Sequence, residues 1–149
     1  LENTVFTALL DSVPDGRYAW QPSSEVPLRF IRLKRYAKTA RNRFAGATIV
    51  QTQHSDDLKL AWVWWPSGQI SVYDNGICDL INGVIVDYKR CRKTYSEHLN
   101  QCGICGKTLT DERSRHYGIG PDCETRYPEV IDEVDDQNDG RTYEQLHRR

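Results

Sequence analysis

Val5, Phe6, Leu9, Leu10 and Val13 fall on one face of a helical repeat, with Asn3 placed to cap it and Pro14-Asp15-Gly16 placed to end it. From there the apolar period shortens to that of strands. Strand-like runs cover 17–21, 28–36, 44–53 and 58–65, and a fifth, 69–73, returns through the hairpin signal Pro66-Ser67-Gly68. Connections this short leave no room for parallel crossovers, so antiparallel pairing is expected. Beyond Asp74-Asn75-Gly76 the helical period returns. Ile77, Leu80, Ile81, Val84, Ile85 and Tyr88 share a face and predict one long amphipathic helix over about 77–92, packed on one side of the sheet.

The segment 101–127 breaks every period. After it come six acids, Glu129, Asp132, Glu133, Asp135, Asp136 and Asp139, which read as a solvated, partly mobile tail. The expected architecture is α+β. An N-terminal helix, an antiparallel sheet and an amphipathic helix occupy 1–97. A cysteine module over 98–128 packs on the same domain, and the acidic tail fills 129–149.

Composition narrows the function classes. A chain of 149 residues with 38 % hydrophobic content supports one modest core. A net charge of −1 neither recommends nor excludes a polyanionic partner. The longest apolar run, 60–65, is far below the ~20 residues that span a bilayer, so no membrane association is expected. No basic stretch precedes the first apolar patch, so a secretory leader is not expected and the setting reads as cytoplasmic.

The five cysteines, Cys78, Cys91, Cys102, Cys105 and Cys123, are an odd and unevenly spaced set. That suits a metal site plus buried thiols better than a disulfide framework. Cys102-Gly-Ile-Cys105-Gly106 has the spacing of a zinc knuckle, whose tight turn aims two thiolates at one ion. Cys123 follows Gly120-Pro121-Asp122, a helix start, and completes a treble-clef or ribbon-like arrangement around structural Zn2+. The candidates for the fourth ligand are His116, Asp111 and His98, and spacing alone does not decide among them.

Other chemistry fits poorly. A redox Cys-x-x-Cys belongs at a helix start, whereas this pair follows a polar loop. A phosphate loop ending in Gly106-Lys107-Thr108 would need glycine where Gln101 stands, and the deaminase cysteine pair is absent. The histidines at 54, 98, 116 and 147 are scattered and most carboxylates sit in the tail. No catalytic residue, enzyme activity or small-molecule substrate is expected.

Cys102-x-x-Cys105-Gly106-x-x-Leu109-Thr110-Asp111, then Ser114, then Gly118-Ile119-Gly120-Pro121-x-Cys123, resembles the C-terminal signature of an uncharacterised domain family found in small proteins of bacteriophages and actinobacteria. Looser similarity runs through Gly16-Arg17-Tyr18-Ala19, Arg29-Phe30-Ile31-Arg32-Leu33 and the strand at Gly46. The resemblance implies a phage-type accessory protein, acting in the host cytoplasm, with a zinc-like knuckle and no assigned reaction. Its pattern does not demand histidine at 116, which raises Asp111 as fourth ligand.

Two binding surfaces stand out. Between 26 and 55 lie Arg29, Arg32, Lys34, Arg35, Lys38, Arg41 and Arg43 with no acid, interleaved with Phe30, Tyr36 and Phe44. Cations beside aromatics suit phosphate contact with base stacking, so the leading expectation is a regulatory protein that binds DNA or RNA. Lys89, Arg90, Arg92 and Lys93 add a second basic patch. Trp62, Trp64 and Trp65 cannot all share one strand face. The alternative expectation is an inhibitor that binds host defence or transcription proteins through these tryptophans and the acidic tail.

Overall fold

The computed structural model describes residues 11–147. Of the helix expected at the N-terminus, only Asp11 and Ser12 fall within that range, and both are helical. The rest of that expectation lies outside the described residues. Strands β1 (Gly16–Trp20), β2 (Arg29–Arg35), β3 (Thr48–His54), β4 (Asp57–Trp64) and β5 (Ile70–Val72) form one antiparallel sheet in chain order. Tyr18 lies opposite Ile31, Leu33 opposite Val50, Val50 opposite Trp62 and Trp62 opposite Val72. Alternation puts these side chains on one face, where Tyr18, Ile31, Leu33, Val50 and Trp62 meet Ile77, Leu80, Ile81 and Val84 in the main core. The other face carries a smaller cluster, Ala47, Ile49 and Val63, covered by Tyr36, Phe44, Leu60 and Trp65.

The single helix expected over 77–92 is two helices. A 3-10 turn, Asn75–Ile77, leads into α1 (Cys78–Val86), and α2 (Tyr88–Leu99) follows. Asp87 separates them with φ −154° and ψ 73°, and its carboxylate accepts a hydrogen bond from Arg90 N. Aspartate competes with the helical backbone in this way, which makes it a good cap and a poor interior residue. The break is invisible in the apolar spacing because the buried side continues across it, from Leu80, Ile81 and Val84 to Cys91, Arg92 and Tyr95. Helix α2 packs against β1, an edge strand of the sheet.

Four short helices complete the described residues: α3 (Glu112–Tyr117), α4 (Pro121–Arg126), α5 (Glu129–Gln137) and α6 (Tyr143–Leu146). The acidic stretch therefore folds where a solvated tail was expected. Val130 and Val134 are buried with Cys102, Leu109, Tyr117, Ile119 and Cys123 in a second core cluster, and Ile131 packs beside them. Their spacing is that of one helical face, and the surrounding charges mask it in the sequence. Glu133 is not solvated but paired with Arg92 at 2.9 Å. Among the described residues, no helix is long and apolar enough to cross a membrane.

Candidate metal centre

Helix α2 ends at Asn100, which takes the left-handed conformation with φ 56°. The chain then reverses in a tight hairpin. Gln101 bridges to Thr108, Cys102 N donates to Lys107 O at 2.7 Å, and Gly106 N donates to Cys102 O at 2.9 Å. Gly106 turns the corner with φ +82°, and a Cβ there would stand 2.5 Å from Arg17 Cζ. The positive φ is the demand that glycine meets here, since the guanidinium end of Arg17 can shift.

Helix α3 is capped by Asp111, whose carboxylate accepts from Ser114 N at 2.7 Å, and it ends at Gly118 with φ 71°. A Cβ on Gly118 would collide with Ser96 Oγ, so glycine lets this turn seat against α2. The Gly118 carbonyl accepts from Gly103 N at 2.8 Å, which ties the end of α3 to the knuckle. Gly120 and Pro121 then start α4, with Cys123 in its first turn.

These constraints gather the sulfurs of Cys102, Cys105 and Cys123 within 4.8 Å of one another. All three are free thiols; Cys102 and Cys123 are buried and Cys105 is exposed. Ile104 N lies 3.4 Å from Cys102 Sγ as donor. Burial works against ionising Cys102, yet the backbone N–H groups of Cys105, Gly120 and Ile104 outweigh it and hold the thiol below its ordinary value. Cys123 is pushed up to about 12, by burial first and then by the nearby Cys102. Three convergent sulfurs with amide donors behind them fit a soft or borderline metal ion, and they supply three of the four ligands that a structural zinc site uses.

None of the three candidates for the fourth ligand reaches the cluster. Among the described residues, no other histidine, cysteine or carboxylate joins the group. His116 is turned into a ring cluster, with centroids 4.8 Å from Tyr117, 5.2 Å from Tyr143 and 5.4 Å from His147, and its Nε2 is buried without a hydrogen-bond partner. Asp111 is engaged as the α3 cap. His98 lies against Phe30, 5.6 Å between centroids.

The family comparison falls on this same stretch. A family model matches residues 89–128, that of a family of unknown function (DUF6011). The matched segment runs from α2 through the knuckle to just past α4, so it holds the three thiols and leaves the sheet out. No match is found among curated proteins or solved structures.

The basic segment divides. Arg29 pairs with Asp79 at 3.2 Å and donates to Gly76 O at 2.8 Å. Arg35 pairs with Asp15 at 2.6 Å and donates to Val13 O at 2.7 Å. Both arginines therefore brace neighbouring segments. Arg32 is half-buried beside Gln51, its pKa lowered by burial first and then by Arg17. Lys34 lies 4.8 Å from the Tyr36 ring centroid and Arg43 4.7 Å from that of Phe44, while Lys38 and Arg41 are exposed between them. Tyr36, Phe44 and Trp65 stack in series, 5.7 and 5.8 Å between centroids.

The tryptophans are spent in packing. Trp62 is fully buried and donates from Nε1 to Asp74 O at 2.9 Å. Trp64 packs against the main core, and Trp65 donates to Ser71 Oγ at 2.8 Å. The tryptophan surface expected because one strand cannot hide both of its faces alone is reduced, since each face has its own cover: Trp62 is buried and Trp64 and Trp65 are half-buried. In the second basic patch, Arg92 is buried against Glu133 and Lys93 donates to the carbonyls of Arg115 and His116.

Proposed function

We propose that this chain is a zinc-stapled, non-enzymatic module that binds single-stranded nucleic acid through the connection between β2 and β3. The observation that carries the reading is the arrangement at 34–43. Lys34 and Arg43 lie over the rings of Tyr36 and Phe44, and Lys38 and Arg41 are exposed between them. No acid occurs from 26 to 55 to oppose a phosphate chain. Cations supply phosphate contact, and aromatic side chains beside them supply sequence-tolerant stacking. The stack rests on Ala47, Ile49 and Val63, which fixes it on the sheet. Zinc at Cys102, Cys105 and Cys123 holds the last third of the fold in place. An accessory or regulatory role in a phage-type protein is the setting that the sequence resemblance implies. Of the groups that a protein-binding inhibitor would use, Trp62 is buried, Trp64 and Trp65 are half-buried in packing, and the acids from Glu129 to Asp136 lie on α5.

The test is binding to labelled single- and double-stranded DNA and RNA at two salt concentrations. Binding is expected to fall with salt, with a slope that corresponds to about three to four phosphate contacts. Lys38→Glu combined with Arg41→Glu is expected to remove it at an unchanged melting temperature. Absence of binding at low salt, or equal binding by the variant, refutes the assignment.

A further inference from the structure

We propose that a metal held by Cys102, Cys105 and Cys123 takes its fourth ligand from outside the chain, a neutral oxygen or nitrogen donor that enters through a cavity beside Cys105 and Cys123. The inference rests on the metal reading above and extends it. Three observations support it. The cluster stops at three donors among the described residues: His116, His98 and Asp111 are engaged elsewhere, and Asp122, though it lines the cavity, is not part of the group. A cavity of about 110 Å³ abuts two of the three thiols. Cys105, on its wall, is exposed, whereas Cys102 and Cys123 are not.

The cavity is also of suitable size and chemistry. A water occupies about 30 Å³ of liquid, so this space holds water or one small donor. Lys107, Thr108, Ser114 and Asp122 bring polar groups to a wall that is more apolar than polar. Where a protein supplies three ligands to zinc, water commonly takes the fourth position. Neutral water is the resting ligand here, and imidazole is the probe that replaces it. A three-ligand site with an exchangeable position differs from a closed structural site in this respect.

The probe is Co2+ bound to the full chain in place of zinc, followed by titration with imidazole. The visible bands are expected to move to shorter wavelength and saturate as nitrogen replaces oxygen. The sulfur-to-cobalt charge-transfer absorption should stay constant, because three thiolates remain. Failure of Co2+ to bind would overturn the metal reading itself. A bound ion whose visible bands ignore imidazole overturns only the open position, as does charge-transfer intensity that falls on titration. His116→Ala and Asp111→Asn are expected to leave the cobalt spectrum unaltered; a change in either would mean an internal fourth ligand. A spectrum that varies with protein concentration before imidazole is added would assign the ligand to a second copy, against the proposal.

Discussion

Cys105 is the member of the thiol triad that faces solvent, so it separates metal binding from packing. Cys105→Ser is expected to abolish one-to-one zinc in the purified protein, read by elemental analysis, and to lower the melting temperature. Zinc contributes about 10–16 kcal/mol to folding in small structural sites, so the drop should be large. One-to-one zinc retained by the variant would exclude Cys105 as a ligand. His116 offers a second handle at this scale. Burial first, then Lys93 and His147, hold its pKa below the ordinary value. The neutral ring is therefore favoured in the folded chain. Its contribution is complete above the unfolded value of about 6.5 and is lost as the pH falls through the lower folded value. Melting temperatures between pH 7 and pH 5 should show this decline, and His116→Gln should flatten it; an unchanged slope would show that the ring does not titrate with folding. The thiols were legible from spacing, since few other uses demand that pattern. The role of Asp111 was not, because a carboxylate three residues before Ser114 reads equally well as a ligand or as a cap.

Among the elements, α5 is held by Val130 and Val134 in the second core cluster, by the Tyr117 hydroxyl on Asp135, and by one buried ion pair. Arg92 is 5 % and Glu133 15 % exposed at the side chain, and Arg92 also lies over the rings of Tyr18 and Tyr88. Glu133→Gln leaves a buried guanidinium without its anion, and Arg92 Nε already lacks a partner. The expected cost is about 3–5 kcal/mol in denaturant unfolding, because the unpaired charge stays buried. A loss within the range of an ordinary surface change would place the pair in solvent. The strands were readable because period two, turn residues and short connections agree with one another. The division at Asp87 and the burial of α5 were not. Helical spacing runs through the first without a gap, and the charges that flank Val130 and Val134 hide the second.

The whole molecule has a sheet core and a knuckle core that meet along β1. Arg17 N donates to Gly103 O at 2.7 Å, and Arg17 Nη1 donates to Gln53 Oε1 at 3.1 Å. The Tyr95 hydroxyl lies 2.9 Å from Gln53 Oε1 and 2.8 Å from Gln101 Oε1. Because the two cores have separate members, chelation is expected to loosen α3, α4 and α5 while β2, β3 and β4 keep their protection. Amide hydrogen exchange with and without chelator reads this directly. Simultaneous loss of protection throughout would show one cooperative unit instead.

The bond from Arg17 to Gly103 joins an early strand to a late loop. During synthesis β1 leaves the ribosome before α2 and the knuckle, and its outer edge waits for them to be made. An unpaired strand edge is a template for pairing with other chains. The nascent protein is therefore most prone to association just before the cysteine loop emerges. Added zinc during expression is expected to raise the soluble yield; an unchanged yield would show that the edge needs no metal to be covered.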